Sequence, residues 1–454
     1  MTDAAVNLWG RRIGAVSWIA ERGLGVFQYN PDFLAAGIEL SPIAMPAQID
    51  PYAFPDLRRG AFRGLPGLLA DSLPDTFGNQ LINVWLLAAG RAVEDFSPVD
   101  RLCYVGSRGM GALEFEPAVP RLGGNAKVDI EQLRELADLA MISRGRLRGI
   151  LEGINDRAAL EGILAVGTSA GGARAKAVLA WNPQTGEFRS GQVDAHQGFE
   201  HWMLKFDGTT NLNQQRLGGP QGYGRIEYAY HRMARDAGIE MSECRLHHEG
   251  GRSHFMTKRF DRDETGAKMH MQTLGALRHL DYNYPGGASY EQAIETVRKL
   301  GMGAEEAKQQ YRRAVFNLAA RNQDDHVKNI SFLMDRSGRW RLSPAYDVTY
   351  SYNPLEGWTK SHQMSLAGKQ EGFSRDDLLQ SARVSGVPLP AARQVVDEVL
   401  SAVASWPQYA AEAGLPKRDI DRIGAAHRVG SLKAAKVGFQ PNRECREAGN
   451  RPRH

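Results

Sequence analysis

The chain has 454 residues, of which 42% are hydrophobic and 24% are charged, and its formal net charge is +4 at pH 7. This length exceeds what one hydrophobic core usually organises, so two or three domains are expected. No run of 18 apolar residues occurs and the first residues carry Asp3 instead of basic residues, so neither a membrane span nor a signal peptide is expected. Three scattered cysteines exclude a disulfide framework and a paired-cysteine zinc site, and they favour the reducing cytoplasm.

The N-terminal region predicts a β-rich domain. Residues 6–29 hold three short runs of β-branched and aromatic residues separated by glycine-containing turns, which is typical of hairpin strands. Pro74 suits the first turn of a helix through residues 81–87, and Asp75 is interpreted as an acid favoured by the positive end of that helix. A glycine-rich stretch at residues 105–113 lacks the Gly-Lys-Ser/Thr ending of a phosphate loop, so a simple turn is expected there.

A second small-residue stretch, at residues 167–176, is a candidate phosphate-binding loop. It follows a polar, helical segment predicted at residues 126–155, and its glycines allow backbone N–H groups to approach phosphate oxygens closely. Arg174 and Lys176 add positive charge, and the hydroxyl group of Ser169 could accept a phosphoryl group. The composition of this stretch is equally consistent with a plain hairpin turn.

Lys205 lies inside a short apolar strand predicted at residues 200–207. Such a lysine often sits at a sheet edge with its ammonium group in water, whereas in a kinase it binds the α- and β-phosphates of ATP. Glu227, on a helix that ends at Gly238, is the candidate partner of Lys205, although a solvated position is also open. Residues 253–273 predict a strand, a turn and a second strand, where a kinase would place the hinge that contacts adenine.

The remainder predicts a mainly helical half that contains the most informative motif. Asp324, Asn329 and Asp347 occur in the order in which a kinase places its general base and two magnesium ligands. The spacing from Asp324 to Asn329 is that of a kinase catalytic loop, and Asp347 follows a predicted strand pair. Helices are expected at residues 289–301, 304–320, 375–386, 389–405 and 418–435, followed by a loosely ordered basic tail at 436–454.

Together these motifs resemble the HipA family of bacterial serine/threonine kinase toxins. The motifs are TSAGGARAK (168–176), KF (205–206), RFDR (259–262), NQDDHVKN (322–329) and LSPAYD (342–347). Upstream, LWG (8–10), LPD (73–75) and GAL (111–113) are similar to the N-terminal domain of that family. The resemblance extends to about residue 430. It implies an α+β, bilobal protein-kinase-like fold with a β-rich N-terminal domain and a mainly helical C-terminal lobe.

The resemblance also implies ATP and Mg²⁺ as cofactors and assigns the catalytic groups. Asp324 would be the general base, Asn329 and Asp347 would hold Mg²⁺, and Lys205 would contact the ATP phosphates. His326 would orient the catalytic loop or the phosphoryl group, with a structural role equally open. A metal site built from Asp325 beside Asp324 and His326 is not expected, because adjacent residues on one loop rarely converge on one ion.

The adenine and phosphate contacts follow from the same resemblance. The backbones of Lys258 and Phe260 would receive adenine. The phosphate loop would contain Ser169, Ala170, Gly171 and Gly172. Ser169 would also be the position of autophosphorylation, where a phosphate would eject the loop and silence the kinase. The chain departs from the family pattern at Ala175, where proline is common, and at Lys258, where an acidic residue can occur, and neither change removes a catalytic group.

The resulting hypothesis is a cytoplasmic protein serine/threonine kinase that acts as a toxin on a translation component such as an aminoacyl-tRNA synthetase. The family implies restraint by a HipB-like helix-turn-helix antitoxin, with operator DNA reached indirectly through that partner and no membrane partner. A small-molecule kinase and a non-catalytic co-repressor or scaffold are the alternatives. The expected domains are an N-terminal domain (1–125), linker helices with the kinase N-lobe (126–262), a helical C-lobe (263–435) and the tail (436–454).

Overall fold

The computed structural model describes residues 2–88, 90–118, 128–141, 174–191, 198–208, 222–355 and 357–433. The predicted phosphate-loop residues Ser169, Ala170, Gly171 and Gly172 lie outside these described residues, as does the predicted tail at 436–454. Of the helical segment predicted at 126–155, the described part forms a helix over Ile130–Met141.

An antiparallel sheet forms the N-terminal domain, as the sequence predicts. Its strands are β1 (Thr2–Leu8), β2 (Arg11–Ile19), β3 (Leu24–Tyr29) and β4 (Leu113–Glu116), in the order β3-β2-β1-β4. Alternation with a period of two residues buries Ala4, Val6 and Leu8 of β1 in the core of this domain. Because β4 pairs with β1, the glycine-rich stretch before it is the turn that the sequence predicts.

Five helices lie between β3 and β4 in the described part of the chain. They are α1 (Pro31–Leu34), α2 (Arg59–Phe62), α3 (Gly67–Ala70), α4 (Thr76–Ala88) and α5 (Pro98–Val105). Of these, α1, α2, α3 and α5 contribute side chains to the core under the sheet. The Oδ1 atom of Asp75 accepts the N–H of Gly78 at 2.7 Å, so Asp75 caps α4 as expected. Pro74 therefore precedes the helix instead of lying in its first turn, which corrects the prediction by one or two residues.

A second antiparallel sheet follows. Its strands are β5 (Lys176–Trp181), β6 (Phe188–Ser190), β7 (Glu200–Lys205), β8 (Cys244–Glu249) and β9 (Arg252–Lys258), in the order β6-β5-β7-β9-β8. Helix α6 (Ile130–Met141) and helix α4 contribute to one apolar cluster with this sheet, in which Phe77 packs with Ala177 and Leu204. Helix α7 (Tyr223–Asp236) packs against β8 and β9.

The strand, turn and strand predicted at residues 253–273 are present, but the two arms pair with each other only next to the turn, where Arg262 bridges Lys268. The turn exists, since Asp263 N–H donates to Ala267 O at 3.0 Å. However, β9 pairs with β7 and β8, whereas β10 (His270–Thr273) pairs with β12 (Ser331–Met334), which in turn pairs with β13 (Trp340–Leu342). The turn carries the chain from one sheet to another, which local sequence signals cannot distinguish from a hairpin.

The C-terminal lobe is mainly helical around a large apolar core. Its helices are α8 (Leu274–Arg278), α9 (Tyr290–Lys299), α10 (Ala304–Ala319), α11 (Arg375–Val384), α12 (Leu389–Ala404), α13 (Trp406–Glu412), α14 (Lys417–Ala426) and α15 (Val429–Leu432). A two-residue pairing joins β11 (Ala288–Ser289) to β14 (Met364–Ser365). The single helix predicted at 418–435 is interrupted, because the N–H of Arg428 donates to Ala319 O on α10 at 2.9 Å.

These elements confirm an α+β fold with a β-rich N-terminal domain, a sheet-based lobe and a mainly helical lobe. Among the residues that the structure describes, no helix is both long and apolar enough to cross a membrane.

Asp261 joins the N-terminal domain to the segment that follows β9. Its carboxylate is fully buried and accepts hydrogen bonds from Gly111 N, Arg259 Nη2 and Arg262 Nη1, each at 2.7 Å. Burial by itself raises the pKa of Asp261, but the two guanidinium groups outweigh it and hold the pKa well below its usual range.

We expect Asp261→Asn to lower the free energy of unfolding by about 3–5 kcal/mol, because it leaves buried guanidinium groups without their counter-charge. Urea denaturation at pH 7 measures this, with the exposed Glu264→Gln as control. Because the folded-state pKa is depressed, the contribution of Asp261 is complete above about pH 4 and declines as pH falls below that value. Equal stability of the two variants at pH 7 would contradict this role.

Candidate active site

A buried lysine links the two lobes. Lys205, at the end of β7, contacts Glu227 Oε1 of α7 at 2.5 Å and also forms an ion pair with Asp347 Oδ1. The Lys205 side chain is 11% exposed and that of Glu227 is 3% exposed, so the contacts lie largely out of water. Burial lowers the pKa of Lys205, but the two carboxylates outweigh burial and raise the pKa above its usual value. The expected pairing of Lys205 with Glu227 is therefore present.

Asp347 is held in an unusual backbone conformation. Its φ of +53° lies in the left-handed region, which side chains other than glycine adopt at a cost. Burial alone raises the pKa of Asp347, but Lys205 and Lys176 outweigh it, so the pKa is lowered and the carboxylate is charged at neutral pH. The preceding Tyr346 donates its hydroxyl to Lys328 O at 2.6 Å, which ties this segment to the predicted catalytic loop.

The predicted catalytic loop brings Asp324, His326 and Asn329 together. The Nδ2 atom of Asn329 donates to Asp324 O at 2.7 Å, which leaves the amide oxygen as the acceptor able to face a cation. The Nε2 atom of His326 lies 3.7 Å from Asp324 Oδ1. His326 also contributes to the lowered pKa of Asp347, so its ring is electrostatically close to that carboxylate.

The two adjacent aspartates of this loop have different surroundings. Asp325 is buried and accepts hydrogen bonds from Tyr290 Oη at 2.6 Å and from the backbone N–H of Gln363 at 2.7 Å. His362 Nδ1 lies 2.7 Å from the same carboxylate. Asp325 therefore anchors the loop from within, while the Asp324 side chain is 43% exposed. Within the described residues no cluster of three acidic, histidine or cysteine side chains could hold a metal.

Trp358 contacts the predicted general base and was not identified from the sequence. Its indole Nε1 donates to Asp324 Oδ1 at 2.6 Å. Gln363 Nε2 donates to Trp358 O at 2.5 Å, which fixes the backbone at this position. The sequence carries no local signal for this contact, because Trp358 lies 34 residues after Asp324 in an irregular segment.

The predicted adenine-binding segment lies where β9 ends. Lys258 N–H donates to Glu243 O at 2.9 Å, so among its backbone groups only the carbonyl remains available for adenine. Its side chain forms a separate ion pair with Glu200 Oε1 at 2.7 Å. The ring of Phe260 lies 5.5 Å from that of Tyr346, centroid to centroid, beside Asp347. Phe260 thus lies near a predicted metal ligand, and the contacts of Lys258 and Phe260 with a nucleotide stay predictions.

The donor set fits a magnesium nucleotide. Asp347 and Asn329 offer a carboxylate and an amide oxygen, which are the hard ligands that Mg²⁺ prefers. Lys205 offers a fixed ammonium group beside them, and Asp324 offers a carboxylate that is partly open to solvent. The arrangement can therefore hold a charged phosphate ester and accept a proton from an attacking hydroxyl group.

The fold and this site define a bilobal, kinase-like protein. The HipA N-terminal domain matches residues 4–116, and the HipA-like C-terminal domain matches residues 168–406. The chain belongs to the HipA-like family.

Individual proteins are similar to this chain over different shares of its length. A Sinorhizobium fredii protein named "Putative kinase Y4mE" is 26% identical over 89% of this chain and 92% of its own length. A Haemophilus influenzae protein named "Putative kinase" is 31% identical over 32% of this chain and 47% of its own length. The fold is similar to HipA from a Shewanella oneidensis complex of HipA, HipB and operator DNA, with a TM-score of 0.65 and 18% identity over 93% of this chain and 94% of that one.

We expect Trp358→Phe to lower kcat for phosphoryl transfer from ATP about tenfold, because it removes a hydrogen bond that orients the Asp324 carboxylate. The KM for ATP should change little. The side chain is 39% exposed, so folding should be unaffected. Initial rates with labelled ATP measure this, and Leu355→Ala, at a 79% exposed position of the same segment, is the control. An unchanged or increased kcat would contradict this role of Trp358.

Proposed function

We propose that the protein is an ATP- and Mg²⁺-dependent serine/threonine protein kinase that acts as the toxin of a toxin–antitoxin pair. The observation that carries this proposal is the contact of Lys205 with both Glu227 and Asp347, next to the Asp324–Asn329 loop. A strand lysine paired with a helix glutamate, beside a metal-binding aspartate, is the arrangement that an active kinase requires.

Each residue has a defined task in this proposal. Asp324 accepts the proton of the attacking hydroxyl on Oδ2, because Trp358 already donates to Oδ1. Lys205 keeps Glu227 and exchanges its contact with Asp347 for phosphate oxygens. Asn329 and Asp347 hold Mg²⁺, which when bound neutralises phosphate charge and orients the transferred group. Asp325 keeps the loop in register through its buried hydrogen bonds.

Self-silencing at Ser169 is part of the proposal and rests on the family resemblance. Phosphorylation would add about −1.5 to −2 charge within the predicted phosphate-binding loop. Repulsion between this charge and the nucleotide phosphates would disfavour ATP binding. Lys205, Lys176 and Arg174 already pair with the carboxylates of Glu227, Asp347 and Asp75, so a second phosphate would compete with these carboxylates for the same positive charges.

The partners belong to the same proposal. The similar Shewanella oneidensis HipA occurs in a complex with HipB and operator DNA. By analogy with the family, a small helix-turn-helix antitoxin restrains this kinase and carries it to DNA. The protein substrate is proposed to be a translation component such as an aminoacyl-tRNA synthetase.

The decisive experiment is phosphoryl transfer by the purified protein. With Mg²⁺ and γ-labelled ATP, we expect label on Ser169, mapped by mass spectrometry. Asp324→Asn should reduce incorporation by at least about 100-fold, because general-base catalysis contributes 10²–10⁴ in rate. Asp376→Asn, which changes an exposed acid at the start of α11, is the matched control and should retain full incorporation.

Growth measurements separate the alternatives. Expression of the wild-type chain without antitoxin should stop growth, and Asp324→Asn should not. Toxicity that survives in Asp324→Asn would favour the non-catalytic scaffold. Phosphorylation of small alcohols, with no protein labelled in a lysate, would favour the small-molecule kinase.

A further inference from the structure

Asp75 and Lys176 form a buried ion pair between the N-terminal domain and the kinase-like sheet. Asp75 Oδ2 lies 3.4 Å from Lys176 Nζ, and the two side chains are only 7% and 2% exposed. Asp75 precedes α4 in the N-terminal domain. Lys176 is the first residue of β5 and ends the stretch in which the phosphate loop is predicted.

The Asp75 carboxylate is fixed in position. Its other oxygen, Oδ1, accepts the backbone N–H of Gly78 at 2.7 Å. Phe77 and Leu81, in the first turns of α4, are buried in the same apolar cluster as Ala177 of β5. Because α4 is packed against the sheet that carries Lys176, the backbone positions of Asp75 and Lys176 are fixed relative to each other.

Lys176 belongs to the charge cluster of the candidate active site. The strand register places Lys176 directly opposite Lys205, so both side chains lie on the same face of the sheet. Two lysines in this position repel each other unless each has a counter-charge. Glu227 and Asp347 serve Lys205, while Asp75 serves Lys176. Burial raises the pKa of Asp347, but Lys205 and then Lys176 outweigh it, so the field of Lys176 reaches the predicted metal ligand.

We propose that Asp75 is a positioning residue, supplied by the N-terminal domain, that holds the ammonium group of Lys176 where it contacts the phosphates of the bound nucleotide. The nucleotide site is then complete only when α4 is docked on the sheet. This inference rests on the proposed kinase function and adds a residue from outside the two lobes to its phosphate-binding machinery.

The cost of keeping this carboxylate charged supports a functional reason for it. Burial raises the pKa of Asp75 to about 6, against the opposing effects of Lys176 and of the Gly78 N–H. A buried ion pair of this kind is often replaceable by apolar residues without loss of stability. Helix capping alone does not require a lysine partner, which supports a role for the pair beyond the cap.

The test compares binding of Mg·ATP with binding of adenosine by calorimetry on dephosphorylated protein. We expect Asp75→Asn to raise the Kd for Mg·ATP about tenfold or more, because a charge-assisted contact to phosphate is lost. The Kd for adenosine, which has no phosphates, should stay within about twofold. If the role of Asp75 were purely structural, its loss would weaken the binding of both ligands. An equal loss of affinity for ATP and adenosine would therefore overturn the proposal. Unchanged affinity for ATP would overturn it too.

Asp377→Asn is the matched control. Asp377 also caps a helix, because its Oδ2 accepts the N–H of Ser374 at 2.8 Å, and the same oxygen pairs with Lys369 Nζ at 2.8 Å. These contacts involve none of the site residues. It should leave both Kd values unchanged. If loss of Asp75 alone prevents folding, the paired replacement Asp75→Leu with Lys176→Met removes both charges together. This double variant should lose ATP affinity to the same extent and keep adenosine affinity, and wild-type ATP affinity in it would overturn the proposal.

Lys205→Met distinguishes failure of this inference from failure of the proposed function. If wild-type protein binds Mg·ATP and Lys205→Met does not, the kinase site stands, and an inert Asp75→Asn then refutes only the role of Asp75. If wild-type protein does not bind Mg·ATP, the proposed function itself fails.

Discussion

The site depends on one buried ammonium group, that of Lys205. An ammonium ion transferred out of water loses its hydration, so it remains charged only where carboxylates replace that water. Glu227 comes from a helix packed on the same sheet, and Asp347 comes from the other lobe. The three charged groups are therefore stable in this buried position only when the sheet, helix α7 and the C-terminal lobe are assembled together. The left-handed backbone at Asp347 is a local cost that this ion pair helps to offset.

The N-terminal domain is part of the same assembly. Its helix α4 completes the apolar cluster of the kinase-like sheet, and its Gly111 N–H binds the buried Asp261 beyond β9. The N-terminal domain also contacts the C-terminal lobe. Its Asp71 accepts the N–H of Thr273 at 2.7 Å, and its Gly67 N–H donates to Nε2 of His279 at 3.0 Å. Because the N-terminal domain contacts both lobes, it can restrain the relative position of the two lobes around the predicted nucleotide site.

The catalytic loop shows how neighbouring residues of one type acquire different roles. Asp324 and Asp325 are chemically identical, and only their surroundings separate them. Asp325 is enclosed by Tyr290, His362 and Gln363, which supply hydrogen bonds that water would otherwise give. Asp324 remains partly exposed, with one oxygen held by Trp358. The buried residue determines the shape of the loop, and the exposed residue is left to react.

The sequence by itself determined the elements and the order of the chemical groups. Enrichment in β-branched and aromatic residues predicts the β1–β3 strands, hydrophobic periodicity predicts most C-terminal helices, and the spacing within one loop predicts Asp324 and Asn329, because these signals depend on near neighbours in the chain. The order of motifs that a kinase requires predicts Lys205 and Asp347. Tertiary structure decided what depends on distant residues. Strand β10 joins a different sheet from β9, and Arg428 ends a helix by binding α10. Trp358 reaches Asp324, and Asp75 reaches Lys176, across long sequence separations for which a single sequence holds no local pattern.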